Sequence, residues 1–300
     1  MKASTFVISI TPFDVDGQLD ELALRDHLDR MADAGVGVYL GGGGSGEGFT
    51  FTTDEARRVL EIGVDQIDGR VPLRAMGIEP RTAQQMIDYI TMAADVGVDA
   101  VQVYSLDPGH GHRPTPREIE LYLATVLDST SLPCVVSSHQ SVGYLLEPKL
   151  LASLVDIHPH FTGVNLSCGD IAPLEELLDV MDGRVEIHVG GPTHGLTALT
   201  LGAQGFLSSE ANLIPRMCAS VISSFEAGDT DASVKTATEV VRISRMLYGN
   251  GGIRATKAVM NRLGLACGSV RPPQLDADDA TVDLILLDLQ ATDAPTIERW

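Results

Sequence analysis

Residues 37–48 read GVYLGGGGSGEG, a short apolar run that passes directly into a glycine-rich loop. A helical pattern follows over residues 54–67, and a second apolar run follows that pattern at residues 71–76. Apolar, β-branched runs of strand length on either side of a helical pattern predict a βαβ unit with parallel strands. This stretch therefore predicts an α/β fold.

The same alternation continues in both directions along the chain. Apolar runs at 6–10, 37–40, 71–76, 100–104, 134–137, 161–165, 185–189 and 205–208 alternate with helical patterns at 19–34, 54–67, 82–96, 116–128, 147–156, 172–181, 193–201 and 213–227. Eight strand–helix units in about 225 residues have the size of a (β/α)8 TIM barrel. A doubly wound sheet is the competing fold, but no G-x-G-x-x-G follows the first strand.

The last part of the chain differs from the rest because it carries helical patterns only. These patterns cover residues 232–248, 254–263 and 278–289. We therefore interpret residues 1–228 as the barrel and residues 229–300 as a C-terminal helical segment that docks on it.

The composition excludes several classes of partner. The chain has 41 acidic and 21 basic residues and a formal net charge of −20. Nucleic acid and anionic membrane surfaces would be repelled by this charge. No apolar run is long enough to span a bilayer. The four cysteines are scattered without a CxxC pair, so we expect free thiols in a cytoplasmic protein.

In a TIM barrel the chemistry lies at the C-terminal ends of the strands. Residues 41–48 occupy such a place, and consecutive glycines let backbone N–H groups form a nest for a carboxylate or a phosphate. Gly44 and Ser45 are the central candidates for this anion site. The alternative is a tight turn in which no side chain fits.

Four histidines are predicted near the same end of the barrel. His110 and His112 lie in the loop after the fourth strand, His139 follows the fifth strand, and His188 lies near the end of the seventh. With Asp170 or Glu210 they could hold a divalent metal. Their spacing matches no metal motif, so we expect no cofactor and keep the metal as the alternative.

Lysines are scarce, which matters for imine chemistry. The chain has only Lys2, Lys149, Lys235 and Lys257. None of them lies at the C-terminal end of a predicted strand, where a Schiff-base lysine would have to be placed and partly desolvated.

Several segments together point to one family. They are ITPF at residues 10–13, GGSGE at 43–47, GVDAV at 97–101, GVNLSCGD at 163–170 and RATKA at 254–258. With these segments the chain resembles the dihydrodipicolinate synthase / N-acetylneuraminate lyase family almost from end to end. The resemblance implies a TIM barrel, a homotetramer or homodimer, and a small carboxylate or 2-oxo acid as ligand.

The resemblance also shows where this sequence departs from the family. The family's reaction begins when a lysine of the sixth strand forms an imine with a 2-oxo acid, and that position reads Asn165. A tyrosine of the fifth strand relays protons in the family, and here it is Ser137. The first threonine of the glycine-rich signature is Gly44. The resemblance thus implies a retained scaffold without a lysine Schiff base.

Two functions remain open at this point. The first is a lyase or hydratase on a 2-oxo acid or related small carboxylate, in which Asn165 hydrogen-bonds a carbonyl or enolate oxygen. His139, His110 or His112 would then act as acid or base, and Ser137 would orient the substrate. The residues assigned to substrate binding are Gly44, Ser45, Ser138, Gly190 and Glu210. The second function is a non-catalytic family member that binds a small carboxylate or partners an active homologue.

Overall fold

The computed structural model describes residues 2–300, and in it eight parallel strands close into a barrel in chain order, with the last strand paired to the first. The strands are Ser4–Ile8 (β1), Gly37–Leu40 (β2), Leu73–Ala75 (β3), Ala100–Val103 (β4), Cys134–His139 (β5), Phe161–Ser167 (β6), Glu186–Gly190 (β7) and Gly205–Ser208 (β8). The predicted (β/α)8 barrel is confirmed.

A helix follows every strand and covers the outside of the barrel. These helices are Glu21–Asp33 (α1), Thr53–Ile67 (α2), Ala83–Val96 (α3), Pro116–Asp128 (α4), Pro148–Ile157 (α5), Ala172–Met181 (α6), Gly195–Leu201 (α7) and Pro215–Glu226 (α8). Threonine or aspartate caps fix several starts: Thr52 and Glu55 form a capping box at α2, and Asp20 accepts from the Ala23 N–H at α1.

Element limits differ from the predicted ones in several places, and β5 and β6 each extend two residues further than predicted, to His139 and Ser167. The third strand is Leu73–Ala75 rather than residues 71–76, because Pro72 has no N–H for the ladder. A last helix of five residues, Ala294–Glu298, escaped the prediction because one turn carries no helical period.

The C-terminal segment is helical, as predicted. It contains Thr230–Gly249 (α9), Ile253–Arg262 (α10), Asp279–Leu289 (α11) and Ala294–Glu298 (α12). Helices α9 and α12 pack on α8. The boundary between residues 228 and 229 stays a prediction. No helix among residues 2–300 combines the length and apolarity that crossing a bilayer requires.

A buried ion pair joins this segment to the loop after β2. Lys257 Nζ on α10 lies 2.6 Å from Glu47 Oε1, and neither side chain is exposed. The backbone N–H of Arg271 and the side-chain amide of Gln274 donate to Glu47 Oε2, each at 2.9 Å. All three donors come from residues 257–274, so this segment fixes the end of the glycine-rich loop.

Candidate functional site

A cavity of about 680 Å³ opens at the C-terminal ends of the strands. Its lining contains pairs of residues two apart on the same strand or strand extension, which face the same side because side chains alternate along a strand. These pairs are Gln102 and Tyr104, Ser137 and His139, Asn165 and Ser167, and Leu207 and Ser209. The cavity therefore continues the interior of the barrel outward.

Ser138 illustrates the opposite face of the same strand. Its Oγ accepts a hydrogen bond from the Leu146 N–H at 2.9 Å, and it does not line the cavity. The structure therefore places Ser138 outside the cavity, because the residue between Ser137 and His139 points toward the helices, and this position does not support its predicted role in substrate binding.

Asn165 lies in the barrel interior at the floor of the cavity and is only 3% exposed. Its Nδ2 donates to Tyr39 Oη at 3.0 Å and to Gln102 Oε1 at 2.6 Å. Its Oδ1 is buried and has no hydrogen-bond partner among residues 2–300. The three side chains come from β2, β4 and β6, which is how alternate strands build one layer inside a TIM barrel.

A charged pair lies next to this layer inside the barrel. Arg74 donates from Nη1 to Tyr39 Oη at 3.1 Å, and it forms an ion pair with Glu186. The Arg74 guanidinium also lies 4.2 Å from the centre of the Phe6 ring. Arg74 is not part of the cavity lining, and its hydrogen bond to Tyr39 connects it to the layer that contains Asn165.

His139 closes one wall of the cavity. Its Nδ1 is hydrogen-bonded to Ser141 Oγ, and its Nε2 lies 3.6 Å from Glu79 Oε1 without a hydrogen bond. Burial lowers the pKa of His139, and the charges of Glu79 and Asp107 oppose this shift. At neutral pH the imidazole is therefore neutral and able to accept a proton.

Tyr104 also lines the cavity, but it is less suited to proton transfer than His139. The Tyr104 ring lies 5.5 Å from that of His139 in an edge-to-face arrangement. Burial holds the pKa of Tyr104 well above its usual range, so this phenol stays protonated at neutral pH.

The glycine-rich loop carries backbone N–H groups without partners at residues that line the cavity. The Gly43 N–H donates to Gly77 O at 3.0 Å, and the Gly48 N–H donates to Gly42 O at 2.9 Å. The N–H groups of Gly44 and Ser45, which line the cavity, donate to no acceptor within residues 2–300. Consecutive backbone N–H groups without partners are the donors that a carboxylate requires, and carboxylate binding at Gly44 and Ser45 stays a prediction.

Two further residues assigned to substrate binding differ in position. Gly190 lines the cavity. Glu210 does not: it is buried behind the wall, where the Ser208 hydroxyl donates to its Oε2 at 2.8 Å. The Glu210 carboxylate stabilises the turn after β8 through this hydrogen bond. The geometry therefore does not support the prediction that Glu210 binds substrate.

The histidines do not form one group. His110 and His112 are exposed in the loop after β4, where positive φ angles at Gly109, His110 and Gly111 turn the chain outward. Neither lines the cavity, so the expectation that they join Asn165 and His139 is wrong.

His188 is also out of reach of the others. It is fully buried inside the barrel, with Nε2 2.9 Å from Ser4 Oγ, and burial lowers its pKa to about 4. Within residues 2–300 no three His, Cys, Asp or Glu side chains are grouped as a metal site requires. The arrangement of these side chains lends the metal alternative no support.

Sequence reasoning missed Glu79, Gln102 and the contribution of the C-terminal segment. Glu79 follows β3, a strand whose loop carries no motif, and Gln102 could have been found by counting back two residues from Tyr104. Tyr248, Gly251, Gly252 and Ile253 close the cavity from the α9–α10 junction. No lysine or arginine is among the lining residues.

Comparison with known proteins agrees with this architecture over nearly the whole chain. The model of the dihydrodipicolinate synthetase family matches residues 2–291. The 4-hydroxy-tetrahydrodipicolinate synthase of Methanopyrus kandleri is 28% identical over 94% of this chain and 93% of its own length. The enzyme of the same name from Pelobacter propionicus is 25% identical over 94% and 95%.

Solved structures show the same fold. A dihydrodipicolinate synthase from Bacillus anthracis superposes with a TM-score of 0.88 at 23% identity, covering 97% of this chain and 98% of its own. A prophage protein of the dihydrodipicolinic acid synthase family from E. coli, solved in complex with pyruvate, gives 0.89 at 22% identity, with 97% and 99% covered.

Proposed function

The chain belongs to the dihydrodipicolinate synthetase family, and from that premise we propose that it is a lyase or hydratase acting on a 2-oxo acid or related small carboxylate without a lysine Schiff base. Membership of this family supports a lyase-like function. The finer proposal concerns how such chemistry proceeds when the residue on β6 is an asparagine.

The observation that carries the proposal is the convergence of Asn165, Ser137, His139 and the glycine-rich loop on one cavity. The side chain amide of asparagine cannot form an imine. A cavity without lysine therefore has to work by hydrogen bonding and by proton transfer. Its shape and depth, with the floor inside the barrel, suit a small molecule.

The backbone N–H groups of Gly44 and Ser45 bind the substrate carboxylate in this proposal. They supply donors without a charge, and they are preorganised because the neighbouring N–H groups of Gly43 and Gly48 are already used. The Lys257–Glu47 pair keeps the end of this loop in place.

His139 is the proposed general base. His139 lines the cavity, its Nε2 is buried without a hydrogen bond, and burial lowers the pKa of the imidazole, which keeps it unprotonated at neutral pH. Abstraction of a proton from a carbon next to a carbonyl or carboxylate leaves negative charge on oxygen, which Ser137 can receive by donating its hydroxyl proton in a hydrogen bond. Glu79 then stabilises the imidazolium that forms.

A non-catalytic carboxylate-binding protein is the second candidate. One observation favours it: apart from His139 and Glu79, the titratable side chains in the lining are the phenols of Tyr104 and Tyr248, and burial holds the pKa of Tyr104 well above its usual range. A protein in which His139 takes no part in proton transfer would then bind the carboxylate without converting it.

The test is solvent exchange of carbon-bound protons. The full chain is incubated in deuterium oxide with pyruvate, lactate or alanine, and proton signals are followed by NMR. We expect exchange above the buffer rate for at least one compound, and we expect His139→Gln to slow it by about 100-fold or more. His194→Gln, outside the cavity lining, is the matched control. No exchange with any compound would favour the non-catalytic candidate.

Imine formation is tested separately. Treatment with pyruvate and borohydride should leave the intact mass unchanged, because no lysine lines the cavity. A mass increase located on any lysine would contradict the proposed mechanism.

A further inference from the structure

Ser141 carries a hydroxyl that lines the cavity and that the proposed function does not use. It follows His139 by two residues in the turn after β5, and it is exposed. His139 is only 7% exposed, so little of its ring can meet a ligand directly. The Ser141 Oγ is hydrogen-bonded to His139 Nδ1. The hydroxyl therefore connects the buried imidazole to the space in which a ligand would lie.

A carboxylate lies on the other side of the His139 ring. Glu79 Oε1 is 3.6 Å from His139 Nε2, which is buried and has no hydrogen-bond partner among residues 2–300. Because the nearby negative charge favours a proton on Nε2, the neutral ring carries its proton there and leaves Nδ1 as the acceptor. Ser141 then donates its hydroxyl proton to Nδ1. A serine, an imidazole and a carboxylate in this order activate the serine as a nucleophile.

The other groups around the ring do not compete for His139 Nδ1. The Tyr104 ring meets the imidazole edge to face, with 5.5 Å between the ring centres. Asp107 forms an ion pair with Arg81 at 2.8 Å. A long contact such as that of Glu79 is common in sites without substrate, where catalytic hydrogen bonds shorten once the substrate is bound.

The surroundings of Ser141 also suit acyl transfer. The backbone N–H groups of Ser141 and Val142 donate to no acceptor within residues 2–300. Donors at the nucleophile and at the residue after it stabilise the oxyanion in sites of this kind. Ile8, Met76 and Leu207 line the same cavity, and no lysine or arginine does. A short, uncharged acyl group fits this lining.

We propose that Ser141 is the nucleophile of an acyl-transfer activity that hydrolyses esters of short, uncharged carboxylic acids. Ser141 Oγ bonds to the carbonyl carbon of the ester while its proton passes to His139 Nδ1. The tetrahedral intermediate expels the alcohol oxygen, which takes that proton and leaves the acyl group on Ser141. Water then attacks the acyl carbon and gives a proton to His139, the acid is released, and His139 returns the proton to Ser141 Oγ. This activity goes beyond the proposed function because it breaks a different bond.

The test uses p-nitrophenyl acetate, whose leaving group is followed by its absorbance. The full chain is mixed with the ester near neutral pH, and samples stopped in acid are analysed by intact mass and peptide mapping. We expect release above the buffer rate and one acetyl group on Ser141. Ser141→Ala should slow the release by about 100-fold or more. Ser223→Ala, which removes an exposed hydroxyl on α8, is the matched control and should leave the rate unchanged.

An acetyl group found on a lysine or a histidine would overturn the inference, as would an unchanged rate in Ser141→Ala. Release no faster than in buffer would also overturn it. Proton exchange of carboxylates without ester hydrolysis would overturn the inference and leave the proposed function standing. Ester hydrolysis without proton exchange would support the inference and count against the proposed function.

Glu79 is the positioning residue in this arrangement, and a pH profile tests its role. Because its charge favours the imidazolium, Glu79→Gln should lower the pKa of His139 further. The decline of ester hydrolysis in acid should then move to lower pH, and the rate near neutrality should fall by about tenfold or more. Glu120→Gln alters an exposed carboxylate on α4 and should change neither. A slower Glu79→Gln variant with an unmoved acid decline would contradict this role.

Discussion

The loops after β2 and β4 lie at the same end of the barrel and are held in different ways. The first ends at Glu47, whose carboxylate accepts from Lys257, Arg271 and Gln274 in the interior. The second carries His110 and His112 on the surface. A loop at the barrel mouth becomes part of the cavity when buried contacts fix it there, and reactive side chains alone do not bring it in.

The largest effect on stability is expected from removing the Lys257–Glu47 ion pair, which fixes the loop after β2. Lys257→Met leaves the buried Glu47 carboxylate without its cation, which should lower the free energy of unfolding by about 3–5 kcal/mol. Urea unfolding followed by circular dichroism measures the change. Lys235→Met, which breaks the exposed pair with Asp293, is the matched control and should have no measurable effect. A Lys257→Met variant with the same free energy of unfolding as Lys235→Met would contradict a stabilising role for the buried Lys257–Glu47 pair.

The backbone of the first loop provides the next test. A Cβ at Gly48 would lie 2.1 Å from Gly41 O, so Gly48→Ala must displace main chain. We expect a loss of about 1–3 kcal/mol in unfolding free energy and weaker carboxylate binding. Gly249→Ala at the end of α9 meets open space and serves as control. A Gly48→Ala variant that binds normally would argue against a preorganised nest.

The pH dependence of the proton-exchange rate distinguishes His139 in the cavity wall from His110 and His112 in the loop after β4. Because the pKa of His139 lies below its ordinary value, proton exchange should be constant around neutrality and fall only in acid, as the imidazole becomes protonated. His139→Gln should lack this acid limb. A decline that begins above the ordinary histidine range would contradict the neutral-base role.

The smallest effect is expected from the second loop. His110→Gln and His112→Gln alter exposed side chains outside the cavity lining, so exchange rates should change by less than about twofold. The NMR assay with the same compounds measures this. A tenfold loss in either variant would mean that the loop after β4 reaches the cavity during the reaction.

The fold was accessible from the sequence because strands and helices alternate in hydrophobic period along most of the chain. The position of Asn165 and His139 followed from the rule that strand ends build the site. The direction of Ser138 could have been derived as well, since it lies between two residues that face inward.

The other features that the sequence did not predict depend on contacts between residues distant in sequence or on the direction of backbone turns. Lys257 and Glu47 are 210 residues apart in the sequence, and no local sequence pattern predicts that they form an ion pair. His188 lies within the barrel because β7 places it opposite Asn165 of β6 in the register. His110 turns outward through its own positive φ, a conformation that side chains other than glycine adopt only occasionally.

A cavity without cationic side chains, in a chain of net charge −20, also affects how fast an anionic ligand arrives. The long-range field slows diffusional encounter instead of steering it, and the carboxylate meets favourable N–H groups only at short range. Added salt shortens the screening length to about 10 Å at 0.1 M and weakens this repulsion. The association rate of a carboxylate should therefore rise with ionic strength, whereas its dissociation rate from the nest should change much less.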